Sequence, residues 1–149
     1  MLQENISIIA NYLWKKSIQQ INNTLTEMEV DHFNMNDYYY LTVIYQLEKP
    51  KLGQLAEELQ LTKPAISALV KRLLKNDLIE KTQSTEDKRI FYLNVTEKGL
   101  NIIQGDLDSY EKLSKLIIEA TSKDELLQLN QLLDEVVKHL QMESFPKGN

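Results

Sequence analysis

The stretch Thr62-Lys63-Pro64-Ala65-Ile66-Ser67-Ala68-Leu69-Val70-Lys71-Arg72-Leu73 decides the reading of this chain. Thr62 is an N-cap residue, and Pro64 in the first turn gives up no helical hydrogen bond. Ile66, Leu69, Val70 and Leu73 recur at helical spacing and form an apolar stripe. The other face carries Lys63, Ala65, Ala68, Lys71, Arg72 and Lys75, cations set among small residues. Asn76-Asp77 closes the helix, since both residues tolerate the left-handed conformation.

Working outward, the period changes after Asp77 from 3.6 to 2. Leu78–Thr82 and Ile90–Val95 read as two strands, with Phe91, Leu93 and Val95 on one face. The polar run Gln83–Lys88 suits the tip of a hairpin. Upstream, a short helix over about Leu52–Leu59 turns Leu52, Leu55, Ala56 and Leu59 inward. Before it, a helix over Asp37–Leu47, capped by Asn36, ends at Lys49-Pro50-Lys51, because the residue before a proline avoids the α region. Two short helices joined by a tight turn and followed by a hairpin make a winged helix-turn-helix.

Long helices flank this unit. From about Leu2 to Met28, Ile6, Ile9, Leu13, Ile21 and Leu25 share one face, with Ser17 as the small exception. Glu27–Asn34 is polar and acidic and reads as a connection. Thr96 caps a helix that turns Leu100, Ile103, Leu107, Tyr110 and Leu113 or Ser114 inward. Ser122-Lys123-Asp124-Glu125 is a capping-box pattern and opens a last helix with Leu126, Leu129, Leu132, Leu133, Val136, Val137 and Leu140. The expected fold is mainly α with a small β-hairpin wing, in one domain over 1–149, with the winged helix-turn-helix at about 35–96. Helices outside the winged module must bury their apolar stripes against something.

Composition removes most enzyme chemistry. The 149 residues contain no cysteine, so thiolate metal sites, cysteine nucleophiles and thiol redox sensing are excluded. The four glycines are too scattered for a phosphate-cradling loop. No serine lies in a Gly-x-Ser-x-Gly elbow, and neither histidine has a metal partner at helical spacing. Catalytic residues, metal ligands and cofactors are therefore expected to be absent. The acidic run at Glu27, Glu29, Asp31 and His32 lacks the spacing and glycine turn of a hard-ion loop and reads as a solvated loop. Apolar runs are too short to span a membrane, and the N-terminus carries no leader pattern, so no membrane partner and a cytoplasmic location are expected.

Charge is unevenly placed. The chain is −5 overall, yet residues 62–92 hold seven bases against four acids and are +3, leaving −8 for the rest. A DNA-reading surface needs local positive charge, whatever the overall sign. Both arginines, Arg72 and Arg89, lie in this segment.

These features resemble the MarR family of bacterial transcription regulators. The most specific part is Asp87-Lys88-Arg89 followed by Val95-Thr96-Glu97-Lys98-Gly99, similar to the family's wing signature. Leu55-Ala56-Glu57-Glu58-Leu59 and Thr62–Leu73 resemble its helix-turn-helix. Val95 stands in place of the usual leucine, and Asp77 where the family commonly has glycine. The resemblance implies an obligate homodimer, with about 1–30 and 97–142 as dimerisation helices, bound to double-stranded DNA. It implies a sequence-specific regulator, a repressor of an inverted-repeat operator relieved by a small-molecule effector. The competing reading is a winged-helix dimer that acts through protein–protein contact, with weak or no DNA binding.

The DNA-contact set expected on this basis is Thr62, Lys63, Pro64, Ala65, Ser67, Ala68, Lys71 and Arg72 on the helix, with Lys88 and Arg89 on the wing. Arg72 is expected to read a guanine edge and Arg89 to enter the flanking minor groove. The resemblance also places an effector pocket near the junction of the dimer helices and the winged module. Tyr12, Trp14, Phe33, Tyr38, Tyr39 and Tyr45 are the aromatic candidates for it, against a plainer role in packing.

Overall fold

The computed structural model describes residues 1–143; the end of the 1–149 domain read above, including Pro146, lies outside the described residues. In chain order the elements are α1 (Leu2–Thr24), α2 (Glu27–His32), α3 (Met35–Gln46), α4 (Leu52–Glu58), α5 (Lys63–Lys75), β1 (Ile79–Gln83), β2 (Phe91–Val95), α6 (Glu97–Ala120) and α7 (Lys123–Glu143). They divide into two compact units, Met1–Ser109 and a second that begins at Tyr110.

The first unit holds the core. Leu41 and Ile44 of α3, Leu55 of α4, Ile66 and Leu73 of α5, Leu78, Leu93 of β2 and Ile102 of α6 are fully buried together. The strands form an antiparallel pair in register Ile79↔Val95 to Gln83↔Phe91. Lys51 adds a one-residue bridge to Tyr92, secured where Leu93 N–H donates to Pro50 O at 2.9 Å. Of the strand face expected inward, Leu93 is buried and Val95 half-buried, while Phe91 at the open end is exposed.

Three local readings are corrected. The segment expected to be a connection is the short helix α2, because Thr26 and Glu29 form a capping box: Thr26 Oγ1 accepts from Glu29 N–H (3.3 Å) and Thr26 N–H donates to Glu29 Oε2 (2.9 Å). Leu25 and Val30, on either side of that cap, both pack into the core. Helix α3 starts two residues earlier than expected, at Met35, since Asn34 rather than Asn36 accepts from Asp37 N–H at 2.9 Å. On α6 the buried set is Gly99, Ile102, Ile103, Asp106 and Ser109, and Tyr110 is exposed.

Two tight turns orient α5. Gln60 adopts φ 50°, with Leu61 N–H reaching Ala56 O and Gln60 N–H reaching Glu57 O, the paired bonds of a Schellman ending. Asp77 repeats the arrangement after α5 at φ 60°, with Leu78 N–H on Leu73 O and Asp77 N–H on Leu74 O. Thr96 then ties this turn to α6. Its hydroxyl donates to Asp77 O (2.6 Å) and accepts from Gly99 N–H (3.1 Å).

Gly99 is there for space. A Cβ at this position would lie 2.2 Å from Leu78 O and 2.8 Å from Val95 Cγ1. Gly105 plays the same part between α6 and α1, where a Cβ would lie 2.8 Å from Gln20 Cβ. Below Gly99, Lys98 of α6 pairs with Glu29 of α2. That ammonium, with the Thr26 backbone and hydroxyl, holds the Glu29 carboxyl down from 4.5 to about 2.

Two predictions follow from this packing. Gly99→Ala gains helix propensity of ~1 kcal/mol but meets a backbone carbonyl, and overpacking of that kind costs ~1–3 kcal/mol or more. A net loss of about 2 kcal/mol is expected in urea unfolding, whereas Gly53→Ala, with nothing within 4 Å, should be neutral or slightly stabilising. A depressed carboxylate contributes its stability in full above pH 4.5 and loses it as pH falls toward 2. The thermal midpoint of Glu29→Gln should therefore lie below wild type at pH 7 and converge with it at pH 2. A gap of equal size at both pH values would contradict this role of the ionised Glu29 carboxylate.

Candidate nucleic-acid interface

The turn at Gln60 and the cap at Thr62 place the start of α5 on the outside of the first unit. Thr62 Oγ1 accepts from Ala65 N–H at 3.4 Å. Ile66, Leu69, Val70 and Leu73 point into the core, as their spacing predicts. Thr62, Lys63, Pro64, Ala65, Ser67, Ala68 and Lys71 are all exposed and form one continuous face. Short side chains between lysines let a helix backbone approach a groove while the ammonium groups meet phosphate.

The hairpin tip is built by its own polar side chains. Ser84 Oγ accepts from Glu86 N–H (3.2 Å), and Gln83 Nε2 donates to Lys88 O (2.6 Å). Asp87 Oδ1 accepts from Arg89 N–H (2.9 Å), which shapes the turn that carries Lys88 and Arg89. Both cations are exposed. Asp87 thus orients the Arg89 backbone. Further down the strands Lys51 sits over the Tyr92 ring (5.8 Å) and Lys81 over Phe91 (5.2 Å), adding two cations to the wing.

Arg72 behaves differently from its expected neighbours and corrects the sequence reading. Its Nε donates to Asp37 Oδ1 (2.9 Å) and Oδ2 (3.1 Å), and its Nη2 also bonds Oδ1. Asp37 has no solvent exposure and Arg72 about 40%. The pairing raises the guanidinium above its ordinary pKa. Helical phase alone does not separate it, since Ala65 and Ala68 lie to either side of it on the wheel. Its long side chain reaches from the last turn of α5 to Asp37 on α3. Removing one partner of a buried pair costs about 3–5 kcal/mol, and less here because Arg72 is partly solvated. Asp37 carried no recognisable signal, since a pairing 35 residues away leaves no periodicity.

The aromatic candidates differ in burial. Tyr38 is buried and donates its hydroxyl to Asp106, Tyr12 and Phe33 are half-buried, and Trp14, Tyr39 and Tyr45 are exposed. A cleft of about 730 Å³ lies between the end of α3, the back of the hairpin and the start of α6, and Tyr45 is the one residue of the six that lines it. Among the described residues no group of three or more His, Asp or Glu could hold a metal ion. No described helix is long and apolar enough to cross a membrane.

A helix-turn-helix followed by a two-stranded wing is the winged-helix class. Residues 33–91, from just before α3 through the wing, match the sequence profile of the MarR family. The chain is 25% identical over 121 residues to the HTH-type transcriptional regulator MgrA of Staphylococcus aureus, covering 80% of this chain and 81% of that protein. It is 26% identical over 92 residues to YpoP of Bacillus subtilis, described as an uncharacterized HTH-type transcriptional regulator, covering 62% of this chain and 65% of YpoP. The fold is similar to that of S. aureus MepR bound to ethidium bromide, at 18% identity, TM-score 0.66, and 94% and 96% coverage of the two chains. It is also similar to Streptococcus pneumoniae FabT in complex with DNA, at 21% identity, TM-score 0.63, and 93% and 94% coverage.

Proposed function

We propose that this protein is a homodimeric, sequence-specific DNA-binding transcriptional regulator, acting by binding and not by catalysis, in the cytoplasm. The observation that carries the reading is the exposed face of Lys63, Ala65, Ser67, Ala68 and Lys71, set outward by two left-handed turns and flanked by Lys88 and Arg89 on the wing. The local excess of positive charge falls there, in a chain that is acidic elsewhere. The kinship with MgrA and the likeness to DNA-bound FabT support the same reading.

Dimer formation is supported by apolar surface that one chain leaves uncovered. In α1, Leu2, Ile6, Ile8 and Ile9 are exposed. Within the second unit, Leu127, Leu132, Leu133, Val136, Val137 and Leu140 of α7 are each exposed as well. Contiguous apolar stripes of this kind mark an association surface. They support α1 and α7 as dimerisation helices, with α6 joining them, while residues of about 35–96 meet DNA. As a repressor the dimer would release its operator on binding a small effector, for which the cleft beside Tyr45 is the concave candidate.

Light scattering at micromolar concentration should give twice the mass of the 149-residue chain. Leu133→Glu should shift that mass to one chain without unfolding the winged module, because Leu133 is exposed in the isolated protomer. A folded wild-type monomer would sink the architecture. On DNA, two equivalent recognition helices require an inverted repeat with half-sites about one helical turn, ~10 bp, apart. Genomic pull-down with sequencing followed by footprinting tests this.

Arg89→Ala should weaken binding to the operator and to A/T-rich non-specific duplex alike. It should also reduce the salt dependence by about one phosphate contact, a slope change of ~0.9. Wild-type affinity for Arg89→Ala at every salt concentration would favour the protein–protein reading.

A further inference from the structure

Two consecutive residues in the first turn of α3 reach in different directions. Asp37 holds Arg72 of α5 through Nε (2.9 Å to Oδ1) and Nη2. Tyr38 donates its hydroxyl to Asp106 Oδ2 on α6, whose other oxygen accepts from Ser17 Oγ on α1. Asp37, Tyr38, Asp106 and Ser17 are all buried. An arginine–carboxylate fork is directional, so it fixes rotation as well as distance. A hydroxyl–carboxylate bond in a dry setting does the same for α6 and α1. The pose of α5 is thus tied through one turn of α3 to the helices of the proposed dimer interface.

Resting on the DNA-binding reading above, we propose that Arg72 is a positioning residue of the interface. It sets the rotation of the recognition helix against α3 and does not contact bases. The consequence is that α5 presents no guanidinium fork to the groove. Sequence is read by Ser67, Ala68, Lys63 and Lys71, and their reach depends on an angle set from behind by Asp37.

The sign of one substitution separates positioning from direct contact. Asp37→Asn keeps the size of the side chain, removes a negative charge and releases the guanidinium. Were Arg72 a DNA contact, this change would leave operator affinity unaltered or raise it. Under the proposal it lowers the ratio of operator to non-specific affinity by about tenfold, comparable to the loss from one mismatched base pair.

Dissociation constants should be measured for the full-length wild type, Asp37→Asn, Arg72→Gln, Arg72→Lys and the Asp37→Asn/Arg72→Gln double variant. Each is titrated on operator and on random duplex across a salt series, below its own thermal midpoint. Four results support the proposal. Asp37→Asn and Arg72→Gln lose specificity alike, and the double variant is no worse than either. Arg72→Lys fails to restore specificity, and the salt slopes stay at the wild-type value.

Two results would overturn it. In the first, Arg72→Gln flattens the salt slope by about 0.9 while Asp37→Asn binds as well as wild type, which makes Arg72 a direct contact. In the second, every variant keeps the wild-type specificity ratio, which makes the pair a matter of stability alone. If Asp37→Asn does not fold, the slope and specificity of Arg72→Gln and Arg72→Lys decide by the same criteria. Failure of the wild type to select any genomic duplex would remove the DNA-binding reading as well, whereas the two outcomes above remove only the role given to Arg72.

Discussion

A carboxylate with no water around it must be answered by another charge, and at Asp37 that requirement organises the winged module. Asp37 lies at the third position of α3, where its backbone N–H is already taken by the Asn34 cap. Its oxygens have the guanidinium of Arg72 as their charged partner, from the last turn of α5. The pair therefore works at the seam between the helix that anchors the module and the helix that faces outward. Apolar packing of Ile66, Leu69, Val70 and Leu73 supplies most of the stability of that seam, because the hydrophobic effect scales with buried area. It is far less directional than a bidentate ion pair.

The same division of labour recurs elsewhere. Two left-handed turns, at Gln60 and Asp77, bracket α5 with paired backbone bonds, so its ends are closed without side-chain help beyond Thr62. Gly99 lets α6 begin directly under the second turn, and Thr96 bonds to both sides of that contact. The wing is held at its base by this arrangement and by the Lys51 bridge. Its tip is shaped by Ser84, Gln83 and Asp87 and stays in solvent with its cations outward.

Outside the module the balance reverses. The first half of α1 and much of α7 carry leucine, isoleucine and valine side chains that the chain itself leaves in water. Each fully buried aliphatic side chain is worth roughly 1.5–3 kcal/mol, so a second surface that covered several of them would contribute far more than any surface ion pair here. The exposed surfaces thus differ in kind: that of α5 and the wing is cationic and built of short side chains, whereas those of α1 and of α7 are each apolar.

Much of this was legible in the residues. The stripe of α5, the cap at Thr62, the change of period after Asp77 and the capping box at Ser122 follow from local rules with short reach, and the structure bears them out. The Thr26-x-x-Glu29 box of α2 obeys the same rule and was hidden only by the acidic look of its surroundings. The expected DNA face is exposed wherever it depends on helical phase alone, as at Lys63, Ala65, Ser67, Ala68 and Lys71. What tertiary structure alone decided is the pairing between distant residues. Arg72 with Asp37, Tyr38 and Ser17 with Asp106, and Glu29 with Lys98 join segments 35 to 89 residues apart. A sequence records the charge of such groups and their phase on a helix. Which partner each finds depends on how the helices pack, and that is set by the summed burial of many apolar side chains.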